Sequence, residues 1–364
     1  MVFDYSGKLA IINLFLWLIL VYVYRSEYFR TTNRPGKYGL IGFIAILFST
    51  FAFSEADTYH YEYIYDKMVL YNVRIHIEEF YFWLVQVLPQ NYYIWRLAIW
   101  GSAALIYIKV CKVNKLESNY SNSFSCHVFP LILIQQFAVT RGCLGITLFL
   151  LGASVFIKRE KQNKALYIWS VFAIVASLFL HKSLPLFIAI AALAFIPLNK
   201  KTFILLLILF PILRGFVLPF VLDFIGSGFF DKETASFATS YLESEKSEMN
   251  FNGMLRMILE YAPRFIIFYV LIKCFIYRKV LIPRNIRFFF NYSFVLFYIA
   301  LLFLGQATSS FVTNRTIHMM CFTLLIPTVY YLQNTKRSRT EKNALLLFMC
   351  SDLFAFAYQI ITCW

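Results

Sequence analysis

The chain is a series of about 12 apolar runs parted by short loops, and the loops sort by charge. No other feature limits its fold so strongly. The runs cover residues 9–24, 38–54, 92–110, 124–139, 142–157, 165–180, 184–198, 202–221, 255–277, 288–304, 311–332 and 344–363. Hydrophobic residues make up 60% and charged residues 15%, with a mean hydropathy of +0.65, too few charges to wet the surface of a soluble domain. A spanning helix takes about 20 mostly apolar residues, so the runs place most of the chain in a bilayer. The expectation is an all-α polytopic membrane protein, with residues 1–364 forming one integral membrane domain.

Of the 34 Lys and Arg residues, 22 fall in alternate loops, among them Arg25, Arg30, Lys158, Arg159, Arg284 and Lys336. Those loops carry only Glu27, Glu117, Glu160 and Glu341 as acids, and the positive-inside rule makes their side cytoplasmic. Both termini are then expected to face outward. A nucleic-acid-binding protein gathers its cations on a folded soluble face. Here they occupy short membrane loops, so the net charge of +15 is no sign of nucleic acid. The first run lacks a basic leader and an A-x-A site and reads as a retained helix. The seven cysteines show no disulfide or zinc spacing.

Two outward segments are long enough to build something. Residues 54–91 are rich in aromatic residues and contain no glycine, which predicts short or re-entrant helices rather than coil; the alternation of Tyr59, Tyr61, Tyr63 and Tyr65 keeps a strand open on pattern alone. Residues 223–253 are polar and hold an acidic stretch, Glu243 to Glu248, as a larger loop or cap.

Once the cytoplasmic cations are set aside, a small set of ionisable residues remains on the outward side. Asp57, Tyr61 and Tyr65 recur every four residues and share a helical face on which a carboxylate and rings can hold sugar; an interfacial aromatic belt is the plainer alternative. Glu78 and Glu79 precede an apolar half-helix ended by Pro89, where an acid is either a favourable N-terminal charge or a catalytic carboxylate. Arg141 sits between two closely spaced runs and Arg315 near the outward start of another, and an arginine near hydrocarbon calls for a partner or a task. Their guanidinium groups can clamp phosphate. Arg96, Arg214, Arg256 and Arg264 make weaker cases, for which head-group contact or a helix pair suffices. His181 ends a helix in Leu-His-Lys-Ser, where it is either structural or a base, and Ser183 can cap the next helix.

The chain has no Walker loop, HExxH or GxSxG motif, and no acidic motif for a metal-bound nucleotide sugar. Neither a cofactor nor a metal is expected.

The order of these residues resembles the EpsG-like branch of the bacterial Wzy-type polysaccharide polymerases over about residues 45–330. The likeness rests on Asp57-x-x-x-Tyr61 after the second helix, Glu79 before Phe-Tyr-Phe-Trp-Leu, Arg141 between close helices, His181-Lys182-Ser183, and a late Arg315. The chain departs from the family pattern at Phe53-Ser54-Glu55-Ala56, where members often carry Arg or Gly before the Asp.

The resemblance implies joining of oligosaccharide repeat units carried on undecaprenyl pyrophosphate, at the outer face of the bacterial cytoplasmic membrane. The product would be O-antigen, capsule or exopolysaccharide, made with the help of a chain-length regulator. In that setting His181, then Glu79 or Asp57, is the base; Arg141 and Arg315 bind pyrophosphate; Tyr61 and Tyr65 bind sugar. A lipid-linked-sugar glycosyltransferase or ligase, or a flippase for the same lipid, is the alternative.

Overall fold

The computed structural model describes residues 56–74, 77–116, 140–158, 164–217, 262, 264–278, 280–303, 309–334, 338 and 340. Among them every regular element is helical and no strand occurs. The expected runs at 9–24, 38–54, 124–139 and 344–363, and the loop at 223–253, lie outside the described residues, as does Arg256.

The helices are α1 (Ala56–Tyr71), α2 (Glu79–Val87), α3 (Tyr92–Val113), α4 (Thr140–Lys158), α5 (Lys164–Leu178), α6 (Leu184–Leu193), α7 (Lys200–Ile212), α8 (Arg284–Phe303) and α9 (Ser309–Asn334). Their ends follow local chemistry. Asn91 accepts from the Tyr93 and Ile94 N–H groups at 2.9 and 3.2 Å, so α3 starts one residue later, two beyond Pro89–Gln90. Asn199 caps α7 in the same way. Asn72 ends α1 with a positive φ of 51°, a conformation that asparagine tolerates, and its Oδ1 accepts from Gln86 on α2 at 3.0 Å. Pro211 removes one backbone donor from α7, which passes directly into a π-helical turn, Leu213–Val217.

Segment 54–91, expected as short helices, contains α1 and α2. Among the described residues two helices, Tyr92–Val113 and Arg284–Phe303, are long and apolar enough to cross a membrane by length and composition, with Gly142–Lys158, Lys164–Leu178 and Leu184–Leu193 apolar but shorter.

Helix α5 is built inside out relative to a soluble helix. Its small residues Ser170, Ala173 and Ser177 are buried, while Leu166, Ile168, Trp169, Phe172 and Val175 are exposed. Water would penalise that arrangement at roughly 25 cal/mol per Å² of apolar surface. Lipid does not, and small residues facing a neighbouring helix are how helices approach closely in a bilayer. The exposed Leu205, Leu207, Ile208 and Ile212 of α7 follow the same logic.

The chain divides into two compact units, Met1–Ile188 with Leu259–Ile267 and Thr328–Trp364, and Ala189–Ile258 with Phe268–Pro327. Within the first, α4 packs on both α3 and α5. Asn114 Nδ2 donates to Ser154 Oγ at 2.8 Å and Lys158 Nζ to the Val113 carbonyl at 3.1 Å, tying the ends of α3 and α4. Within the second, Phe268 stacks on Phe297 at 4.8 Å, and buried Asn291 donates to the Ala194 and Ile196 carbonyls that follow α6. Ser293 of α8 and Thr323 of α9 share a buried hydrogen bond of 2.8 Å.

Candidate functional site

The densest meeting of the singled-out residues is the turn between α5 and α6. Leu180 N–H donates to the Ser177 carbonyl and Leu184 N–H to the His181 carbonyl, so the chain reverses over residues 181–183. His181 is buried at 5% exposure. Its Nδ1 accepts the Ser183 backbone N–H at 3.2 Å and lies 2.7 Å from Ser183 Oγ. Ser183, expected to cap α6, thus turns its hydroxyl to the imidazole.

A carboxylate reaches this turn from far along the chain. Glu78 Oε1 accepts the Lys182 N–H at 3.3 Å across 104 positions. Glu78 occupies the N-cap position of α2 but makes no side-chain cap bond there. Its neighbour Glu79 points elsewhere, into an exposed ion pair with Arg74 at 2.7 Å. Of the two adjacent acids, Glu78 is the one brought to the His181 turn, whereas the family pattern points to Glu79.

Helix α4 comes to the same turn through a glycine. A Cβ on Gly145 would collide with Leu184 Cδ1 and lie 3.2 Å from Leu180 Cβ, the residues that bracket residues 181–183. Residue 141 precedes Gly145 by four positions, so its backbone lies one helical turn away on the same face of α4. The side chains of Asp57, Arg141 and Arg315 lie outside the described residues; their backbones belong to α1, α4 and α9, and Arg315 falls in the second unit.

Tyr61 and Tyr65, expected to hold sugar, are buried at 6% and 4% exposure. Tyr65 packs edge-on against Tyr92 at 5.5 Å and tilted against Trp95 at 5.7 Å, while Trp95 Nε1 donates to the Tyr81 carbonyl. Burial and the charge of Asp66 push the Tyr65 phenol upward, partly offset by a backbone hydrogen bond from Asn91. Among the described side chains of this region the exposed rings are Tyr63, Tyr71, Phe80 and Trp83, and Lys67 Nζ lies over Tyr63 and Tyr71 at 5.3 and 4.6 Å.

Two arginines weigh more in the structure than in the sequence. Arg96 and Arg264 are 1% and 2% exposed, which argues against head-group contact and leaves the helix pair, the other role expected of them. Arg96 lies beside Tyr92 and Tyr93, whose phenols feel its charge together with that of Glu62. Among the described residues no group of three or more His, Cys, Asp or Glu side chains is placed to hold a metal ion.

No curated protein and no solved structure matches the chain. A model of the EpsG family, however, matches residues 37–364 and so spans every residue of the candidate site. The chain belongs to the EpsG family.

Proposed function

We propose that this protein is a polytopic membrane enzyme of about 12 spans that joins undecaprenyl-pyrophosphate-linked oligosaccharide repeat units into a surface polysaccharide at the outer face of the cytoplasmic membrane. The observation that carries the reading is the clamped turn. In a member of the EpsG family, Glu78 reaches the turn that holds His181, and α4 packs against the residues that bracket that turn through Gly145, one helical turn from residue 141. The inside-out α5 supports the membrane setting.

In the reaction, a hydroxyl oxygen of the incoming unit attacks the anomeric carbon of the growing chain. The bond from that carbon to the pyrophosphate oxygen breaks, and its electron pair leaves with the lipid pyrophosphate. The hydroxyl proton passes to a side-chain base, for which His181, Asp57 and Glu79 are the candidates, at a gain of about 10²–10⁴-fold. Arg141 meets the charge that develops on pyrophosphate by preorganised donors. Arg315 holds its phosphate-binding assignment on the sequence argument alone. The exposed rings Phe80 and Trp83 join Tyr61 and Tyr65 as candidates for sugar contact, and a chain-length regulator is the expected protein partner.

The test is elongation by purified protein in detergent, supplied with lipid-linked repeat extracted from cells lacking the chain. A ladder of products is expected, and it fails with Arg141→Ala at normal protein level. Because detergent has no sidedness, elongation there excludes a pure flippase. Transfer of a single unit with no ladder would overturn the polymerase reading in favour of a ligase.

A further inference from the structure

The 181–183 turn holds two contacts that the proposed reaction does not use. A backbone N–H can only donate, so the Ser183 N–H at 3.2 Å makes His181 Nδ1 an acceptor. The neutral ring then carries its proton on Nε2, and the Ser183 hydroxyl at 2.7 Å supplies a second donor to Nδ1. With Nδ1 engaged and Nε2 protonated, this imidazole is set to give a hydrogen bond and not to take a proton. Glu78 adds the second contact. Its position suits a cap for α2, yet its carboxylate holds the Lys182 N–H, next to the histidine and just before α6. An anion there also suits the positive N-terminal end of that helix.

We infer that His181 serves the transfer as an Nε2–H donor to the oxygen on which charge develops, not as its base, and that Glu78 is the positioning residue that holds the turn. The inference rests on the polymerase reading and narrows it, because the hydroxyl proton must then go to a carboxylate, Asp57 or Glu79. Among the described side chains the charged groups at the turn are Glu78 and Lys182, so a pH response from either must be separated from one of the ring.

The experiment measures initial elongation rates of purified full-length variants on the extracted lipid-linked repeat, from about pH 5 to about pH 8, the range in which an imidazole titrates. His181→Ala is expected to lose about 10²–10³-fold, as for removal of one preorganised donor. His181→Gln, whose amide N–H reproduces that donor, is expected to stay within about tenfold of the parent with the same pH profile. A His181→Gln rate as low as that of His181→Ala, or loss of an acidic limb in His181→Gln, identifies an imidazole base and overturns the inference. Parental turnover in His181→Ala overturns it too.

The Glu78 pair remains decisive even where His181→Ala does not fold. Glu78→Gln keeps the acceptor oxygen and should keep kcat, while Glu78→Ala should lower kcat about tenfold or more at unchanged KM. Equal kcat in the two variants removes Glu78 from the positioning role. A parent that makes no polymer overturns the polymerase reading and this inference together, whereas an active parent with the wrong order of variants overturns this inference alone.

Discussion

The segment from α1 to α3 and the pair α4–α5 solve the same packing problem by opposite means. In the first, large rings fill the space: Tyr61, Tyr65, Tyr81, Tyr92 and Trp95 are all buried, and Trp95 touches three of the others. In the second, side chains are removed so that backbones can meet: Gly145 and Gly152 of α4 lie against Ser177, Ser170 and Ile174 of α5. A helix pair in lipid gains nothing from hiding apolar surface, and close contact between small residues is the gain left to it. The ring cluster belongs to a segment whose exposed side mixes Asp66, Arg74, Glu79 and Gln86 with rings such as Trp83, and its large rings gain by packing on one another. Glu78 from the first region then meets Lys182, in the turn that follows the second, beside His181.

This contrast breaks in opposite directions under mutation. The ring cluster fails when volume is lost. Trp95→Ala, at a fully buried site, should cost about 3–5 kcal/mol, read as a fall in detergent-melting temperature. Trp83→Ala, on the exposed side of α2, should stay within about 0.5 kcal/mol. Equal losses at the two tryptophans would show that the rings do not form a core.

The glycine seam fails when volume is gained. A Cβ on Gly152 would lie 2.7 Å from Ile174 Cγ1 and 2.8 Å from the Ser170 carbonyl oxygen, and backbone cannot swing aside. Gly152→Ala should therefore cost about 1–3 kcal/mol by overpacking. Gly101 of α3 has nothing within 4 Å of such a Cβ, so Gly101→Ala should gain about 0.5–1 kcal/mol from helix propensity alone. The two alanines shift melting in opposite directions if the seam is real.

Next in size is Gly145→Ala, whose added methyl meets mainly the flexible end of Leu184. Side-chain movement and the helix propensity of alanine should hold the stability loss to about 1 kcal/mol. Leu184 lies beside residues 181–183, so elongation should fall far more than stability, by about 10²-fold for a shift near 1 Å. Parental turnover would separate α4 from the site.

Sequence periodicity revealed the described helices because apolar runs are local signals; the caps Asn91 and Asn199 came only with the structure. It could not choose between Glu78 and Glu79. That choice depends on which carboxylate is aimed at a turn 104 positions away: Glu78 is extended at the N-cap while Glu79 begins the helix, so the two side chains diverge. The tyrosines show the same limit. A four-residue spacing correctly put Tyr61 and Tyr65 on one face, but only the packing of Tyr92 and Trp95 reveals that this face looks inward. The burial of Arg96 was hidden for the same reason, since a guanidinium near a helix start reads equally well as a lipid contact.

The smallest effect concerns the edge of the ring cluster. Burial, together with the charge of Asp66, raises the Tyr65 phenol above its ordinary value of about 10. A group whose folded-state pKa is raised adds stability that is fully present below the unfolded value and is lost as pH climbs through the folded one. The parent should therefore lose stability in the alkaline range above about pH 10 in part through this hydroxyl. Tyr65→Phe keeps the ring contacts with Tyr92 and Trp95, gives up the bond from Asn91, and should cost only about 0.5 kcal/mol at neutral pH. Its melting curve should then fall less steeply than the parent's between about pH 9 and pH 11. An identical alkaline slope in the two proteins would mean that the hydroxyl is solvated and the cluster open at this end, which would strengthen Tyr65 among the candidates for sugar contact.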